Sequence, residues 1–293
     1  MRFWAVLALA AASLLAACNR APTAPARYVI GQPYALGGLW SYPREDFALN
    51  DTGLAAIIPD TRSGRATANG EVYDPSALMA AHRTLQMPAI LRVTNLEAGR
   101  ELLVRVNDRG PAAPGRVLGL SRRAAELLGA RDGTQLRIVV EAEPSRALAS
   151  GLPQTETPQL AIAAAPAGSV ARETLAPPPG ARAATQLREG RAAPVLAAAA
   201  ATTAAPTIAL PMQATVVAAQ PGRLWVQAGN FTNRDAAQRQ AARIGGARAE
   251  AFGPGRRPEF RVRVGPMQTA AEADAALARV LRAGISEARI VVD

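Results

Sequence analysis

Between residues 89 and 142 three runs set branched apolar residues among polar ones and are bounded by turn formers: AILRVTN (Ala89 to Asn95), ELLVRVN (Glu101 to Asn107) and TQLRIVVEA (Thr134 to Ala142). A near-period of two over such lengths predicts half-buried strands. Glu97 to Gly99 joins the first two and is short enough for a tight hairpin. In SRRAAELL, Ser121 to Leu128, the apolar positions change to helical spacing, with Ser121 placed as N-cap and Gly129 as the stop. Residues 51–142 therefore read as a compact β-rich domain with one clear helix.

The strand pattern returns near the C-terminal end, where it is repeated. GRLWVQAGNFTNRDAAQRQAARI and EFRVRVGPMQTAAEADAALARVL each run as strand, glycine, polar turn and alanine-rich amphipathic helix. With the short strands ARAEAF and ARIVV they predict an α+β module of βαββαβ order over residues 221–293. One face of its major strands is apolar, with Leu224, Val226 and Ala228 followed by Phe260, Val262 and Val264. The opposite face carries Trp225 and Gln227, then Arg261 and Arg263, and two helices on one side would leave it open to a ligand. The plainer reading is that Trp225 and Gln227 are ordinary exposed residues.

The remaining segments lack periodicity. Residues 143–220, with stretches such as APPPGARAA and VLAAAAATTAAP, have too few large apolar groups to offset chain ordering and predict a long disordered Ala/Pro-rich linker. Residues 19–50 read as an irregular lead segment, its Tyr28, Tyr34, Trp40, Tyr42 and Phe47 spread among glycines and prolines, lying across the next domain. At the start, Arg2 precedes an apolar run from Phe3 to Leu15 that closes in LLAAC, the pattern of a secretory signal peptide over residues 1–18. The single cysteine of the chain, Cys18, sits at that junction, as in a bacterial lipobox whose cysteine is lipidated. By resemblance to lipoprotein sorting signals, Asn19 after it, in place of aspartate, favours the outer membrane.

Composition sharpens this division. Hydrophobic residues make up 49% of the chain but aromatics only 4%, which favours small domains joined by spacer over one continuous core. The net charge is +10 and all 33 basic residues are arginine, a balance that suits an acidic or sugar-polymer partner. A secretory signal directs the chain away from nucleic acid, so the basic C-terminal sheet is not read as an RNA-binding face. One histidine and a cysteine consumed by lipid make a poor metal-ligand set, and neither metal nor cofactor is expected.

Candidate chemistry gathers in TANGEVYDPSALMAAH, Thr67 to His82, and in VRVNDRGP, Val104 to Pro111. Cleaving a glycosidic bond needs a carboxyl group to protonate the leaving oxygen, and lytic cleavage by an internal sugar hydroxyl needs one acid/base for both steps. Glu71 emerges from a turn, and Asp108 ends a branched strand where a carboxylate can be held against an apolar rim. Taken singly, each also has an ordinary explanation as a turn or flank residue.

Together, GRATANGEVYDPSALMAAHRTLQMPAILRVTNLEAGRELLVRVNDRGP and SRRAAELLG resemble the rare lipoprotein A (RlpA) family of septal lytic transglycosylases, and the likeness runs from about Tyr28 through Val140 and resumes in the C-terminal module. The resemblance implies a mainly β architecture with a six-stranded double-psi β-barrel and a C-terminal SPOR domain that binds glycan stripped of its peptides. It implies catalytic roles for Asp108 as general acid/base, with Glu71 of the NGE motif and His82 of the AAH motif positioning the sugar or sharing the proton. Tyr73 and Asp74 of the YD pair, Asn107 and Arg109 of NDRGP, and Trp225, Gln227, Arg261 and Arg263 of the open sheet are the expected substrate contacts. It implies an outer-membrane lipoprotein of the division septum, with denuded glycan strands and division proteins as partners; the competing reading is a non-catalytic glycan-binding or scaffold lipoprotein. Two departures stand out. GLAAIIP, Gly53 to Pro59, replaces an aromatic pair of the family, and VLGLS places Gly119 where the family commonly has an aspartate.

Overall fold

The computed structural model describes residues 25–154, 209–254 and 258–293. The lipobox Cys18, Asn19 and most of the expected linker lie outside the described residues. A lead hairpin comes first, β1 (Tyr34–Leu36) against β2 (Leu39–Ser41). Six strands then form the barrel: β3 (Asn50–Ile57), β4 (Met79–Ala81), β5 (Ala89–Asn95), β6 (Arg100–Asp108), β7 (Arg116–Leu120) and β8 (Gln135–Val140). Their order is β4-β7-β3-β8-β5-β6, and β4 also pairs with β6, so the sheet closes on itself. Two pairings are parallel, β3 with β7 and β4 with β6, and the others are antiparallel. This is a double-psi β-barrel.

Closure follows from the residue pattern. Alternate positions of β5 and β6, Leu91 and Val93 with Val104 and Val106, point inward and are fully buried, and Leu118, Leu120, Leu136 and Ile138 complete the interior. Burying each such side chain contributes about 1.5–3 kcal/mol. The helix expected over Ser121 to Leu128 is α1 (Arg122–Leu128): the Ser121 hydroxyl accepts from Ala124 N, and Gly129 ends it in the left-handed conformation at φ 63°.

Two elements occupy sequence read as linker. Helix α2 (Ala142–Gly151) buries Leu148, and its Ser145 hydroxyl accepts from Ile90 N at 2.9 Å, which satisfies a donor at the start of β5. Its single apolar anchor in an Ala/Ser/Gly-rich stretch left too weak a periodic signal to be read as a helix. Beyond residue 208 the chain returns to the barrel, where β9 (Thr215–Val216) pairs with Arg100 and Glu101 while Leu210 and Ala214 pack on the core.

The C-terminal module has the expected order: β10 (Leu224–Phe231), α3 (Arg234–Ile244), β11 (Arg248–Phe252), β12 (Glu259–Met267), α4 (Ala270–Arg282) and β13 (Arg289–Val292). Its antiparallel sheet runs β11-β12-β10-β13. Asn233 and Thr269 cap the two helices through their side chains. Leu224, Val226, Ala228 and Val262 are buried, as the apolar-face pattern requires.

This module packs directly on the barrel, and the described residues fall in one compact unit. Leu54 of β3 and Leu96 after β5 join the module's own core of Leu277, Val280 and Ile290. The free edge of β13 is met by one side chain: the Thr52 hydroxyl donates to Val292 O at 2.8 Å and accepts from Val292 N at 3.0 Å. Gly53 permits this approach, since a Cβ there would lie 2.8 Å from the Val117 Cβ and 3.2 Å from Ile290 O. Arg116 bridges the two parts, holding Asp132 of the barrel and Asp274 of α4, the latter at 2.6 Å.

With Asp274 part-exposed, the Arg116–Asp274 pair is expected to couple the two parts by about 1 kcal/mol, below the range for a buried charged hydrogen bond. A double-mutant cycle of Arg116→Ala and Asp274→Ala, read by urea unfolding, measures it; a coupling near zero would remove this pair from the docking.

Candidate active site

The turn Thr67 to Glu71 folds against the end of β6. Asn69 N donates to Asn107 O at 3.3 Å, and the Thr67 hydroxyl donates to Asn69 Oδ1 at 2.8 Å. Along β6, Val104 and Val106 turn into the core with Arg105 between them, and the pairing with β4 slips by one residue between Val106 and Asp108, where alternation breaks. Arg105 and Asn107 both reach Glu71. Asp108 is the last residue of the strand.

Glu71 meets the side chains of Arg105 and Asn107. Its carboxylate accepts from Arg105 Nη2 at 2.5 Å and Nε at 3.0 Å, from Asn107 Nδ2 at 2.8 Å and from Asn69 Nδ2 at 2.9 Å. Burial alone would favour the protonated acid, but these donors outweigh it and hold the carboxyl below its ordinary pKa. A carboxylate so engaged locks the turn. The same contacts leave neither Glu71 oxygen without a donor from the protein itself.

Asp108 is 5% exposed. Its Oδ1 accepts from Arg109 N at 2.8 Å and Ala68 N at 3.1 Å, so the turn built by Glu71 supplies one of its two backbone donors. Its Oδ2 is covered and lies 2.7 Å from Arg62 Nη2, a charge contact without the alignment of a hydrogen bond. Arg62 ends a short 3-10 turn, Asp60–Arg62, and sits in a polar run with no periodicity, which is why no pattern in the sequence singled it out.

His82 directly follows β4, and its N–H donates to Asp108 O at 3.0 Å. Its Nδ1 accepts from Thr84 N at 3.2 Å and Leu85 N at 3.1 Å, which places the proton of the neutral ring on Nε2. Burial, reinforced by the charge of Arg109, pushes the imidazole down to about 3. The ring is thus a neutral donor at physiological pH.

The two departures noted in the sequence prove to be in contact. A Cβ on Gly119 would lie 3.2 Å from Ile58 Cγ1 and 3.5 Å from the Ala81 Cβ, and Ile58, Tyr73 and Ala81 form one buried apolar cluster. Because Ala81 is the strand partner of both Asp108 and Gly119, this cluster stands beside the carboxylate. An isoleucine thus fills space beside a position that lacks a side chain.

Several expected substrate contacts are engaged within the protein itself. Tyr73 is 1% exposed, a core residue of that cluster. Asn107 is fully buried and donates to Glu71. Arg109 donates to Leu85 O at 2.6 Å and also to Ile30 O, fastening the lead segment to the barrel. Arg263 is buried, paired with Asp293 at 2.6 Å and stacked over Trp225 at 5.5 Å, while Arg261 lies 3.6 Å from Glu250. The arginines expected to face ligand are held within the sheet by acidic neighbours whose places in the sequence gave no hint of the pairing. Asp74 is exposed, its carboxylate accepting from the backbone and hydroxyl of Ser76, hydrogen bonds that lower its pKa. Gln227 remains accessible at the margin of a groove that also reaches His82.

A closed double-psi barrel with a buried carboxylate at one strand end, followed by a βαββαβ module, is the arrangement of a lytic transglycosylase barrel joined to a SPOR domain. Residues 51–140 match the family described as lytic transglycolase, and residues 220–290 match the SPOR domain. An endolytic peptidoglycan transglycosylase RlpA from Pseudomonas aeruginosa is 33% identical over 269 residues, covering 83% of this chain and 71% of that protein. The RlpA of Yersinia pestis is 43% identical over 110 residues, 37% of this chain, so the match spans under a third (31%) of that relative. The crystal structure of the RlpA SPOR domain from Pseudomonas aeruginosa aligns at 25% identity with 24% of this chain and 99% of its own, with a TM-score of 0.22. The chain belongs to the RlpA family.

The depressed His82 pKa fixes a pH dependence. The unfolded imidazole takes up a proton below its ordinary value of 6.5 while the folded one stays neutral to about 3, so this contribution is complete above pH 6.5 and lost as pH falls through that window. Relative to His82→Gln, the wild type should lose about 2 kcal/mol between pH 7 and pH 5, at 1.36 kcal/mol per unit. Urea unfolding at the two pH values measures it, and parallel losses in both chains would contradict the assignment.

Proposed function

We propose that this protein is an outer-membrane lipoprotein of the division septum that cleaves the β-1,4 bond between N-acetylmuramic acid and N-acetylglucosamine in peptide-poor glycan, leaving 1,6-anhydro ends. The observation that carries the reading is the carboxylate of Asp108, buried at a strand end, with its Oδ1 fixed by two backbone N–H groups. In its acid form Oδ2 protonates the leaving O4 of the N-acetylglucosamine. Ionised, the same oxygen accepts the proton of the muramic O6 hydroxyl as O6 closes on C1, so no water enters the balance. Arg62 covers Oδ2 in the free protein, so the sugar displaces its guanidinium, which then balances the carboxylate charge from beside it. His82 donates from Nε2 to a sugar oxygen, and Glu71 acts through the turn that presents Ala68 N. Secretion and anchoring rest on the Phe3 to Leu15 run and Cys18.

A non-catalytic glycan binder is the second reading, favoured by the covered Oδ2 and by the apolar Ile58–Gly119 contact beside it. One assay separates the two. The mature chain is incubated with amidase-treated, peptide-free sacculi, and anhydro-ended products are sought by mass spectrometry. Wild type should release them, and Asp108→Asn should reduce the rate by about 100-fold or more. Absence of product from wild type would favour the binder, while undiminished product from Asp108→Asn would reassign the proton carrier.

A further inference from the structure

Two large aromatic side chains of the lead segment stand in solvent, Trp40 at 62% and Tyr42 at 61% exposure. Isolated exposed aromatics need no explanation. These two are close in sequence, and both line a groove of about 580 Å³ that runs past His82 to Gln227 and Asn230 of the C-terminal sheet. The volume lies within the range of ligand sites, about 300–1,000 Å³.

The hairpin that presents them is clamped. Tyr34 Oη donates to Arg83 O at 2.8 Å, and the Arg83 guanidinium donates in turn to Leu36 O, to the Ser41 hydroxyl and to Ala112 O, the last at 3.0 Å. Gly37 lies so close to the barrel that a Cβ there would be 2.0 Å from Ala112 O. Aromatic surface held this way loses little freedom on binding. The opposite wall is polar. Arg289 is paired with Asp51 at 2.7 Å, and Gln227 Nε2 donates to Asn230 Oδ1 at 2.8 Å, leaving Gln227 Oε1 and Asn230 Nδ2 for a ligand. Apolar ring faces opposite neutral amides suit a polymer with C–H faces and many hydroxyls.

We infer that a glycan strand runs through this groove, its sugar rings stacking on Trp40 and Tyr42 and its hydroxyl and acetamido groups meeting Gln227 and Asn230, so that barrel and C-terminal module grip one strand together. The inference rests on the glycan reading above and adds subsites to it. It also relocates the stacking surface: the position of the family's aromatic pair is taken by Ile57 and Ile58, while the lead hairpin supplies a tryptophan and a tyrosine within the same chain.

The test uses the mature chain and peptide-free glycan fractionated by length. Trp40→Ala and Tyr42→Ala should each raise KM on long strands about tenfold, the scale of one lost aromatic stacking contact, with kcat changed less than twofold. Trp40→Phe should recover most of the loss, and Gln227→Ala should raise KM on long strands but not on tetrasaccharide. Circular dichroism confirms folding of each variant. In the Asp108→Asn background the same changes should appear in Kd by calorimetry, which keeps the groove testable if wild type proves not to cleave. Should Trp40→Ala and Tyr42→Ala, folded, leave both KM and Kd on long strands within twofold of the parent, the inference is overturned, whatever the outcome for catalysis.

Discussion

Everything at the site depends on a strand of three residues. Met79–Ala81 pairs in parallel with the end of β6 and antiparallel with the end of β7, and only this double pairing closes the barrel. Ala81 stands between Asp108 and Gly119 as a result, and His82, the next residue, is hydrogen-bonded to the backbone of Asp108. A segment this short has little pairing energy of its own. It is held from outside: the Ser121 hydroxyl, already the cap of α1, donates to Ala77 O at 2.7 Å, and Arg105 N donates to Leu78 O. Barrel closure, helix capping and placement of the carboxylate are thus a single constraint.

Charge is distributed around that constraint with a division of labour. Glu71 and Arg105 form a half-buried ion pair whose remaining oxygen is satisfied by amides, the condition under which such a pair holds geometry without leaving an unpaired charge. Asp108 is less completely engaged, with one oxygen fixed by backbone and the other facing a part-exposed arginine. The first arrangement holds a loop, and the second leaves one carboxylate oxygen without an aligned donor.

Much of this was legible in the residues and some was not. The strands β5, β6 and β8, the capped helix α1 and the whole βαββαβ module follow from alternation and punctuation that each segment carries locally. β4 and β7 are too short or too glycine-bearing to announce themselves, and their pairing is a property of the closed sheet. The same limit applies at the site. NGE, AAH and NDRGP point to Glu71, His82 and Asp108, but the donors that fix each carboxylate, Arg105 and Asn107 for Glu71 and Ala68 N for Asp108, are set by the turn folding onto the end of β6. Arg62, and the acidic partners of Arg261 and Arg263, come from segments distant in the chain, where no spacing rule applies.

The lead segment sets a spatial limit on the whole protein. Arg27 N donates to Asn69 O, Val29 pairs with Met87, and Tyr28 pairs with Gln154, so the chain is fastened beside the TANGE turn almost as soon as it can be described. With an anchor at Cys18, as proposed, the leash to Arg27 measures at most ~32 Å even fully extended, at 3.3–3.6 Å per residue. The span between residues 154 and 209 adds nothing to it, because the barrel precedes that span and the chain comes back to the barrel after it. On that proposal the site would be held within a thin shell at the membrane surface.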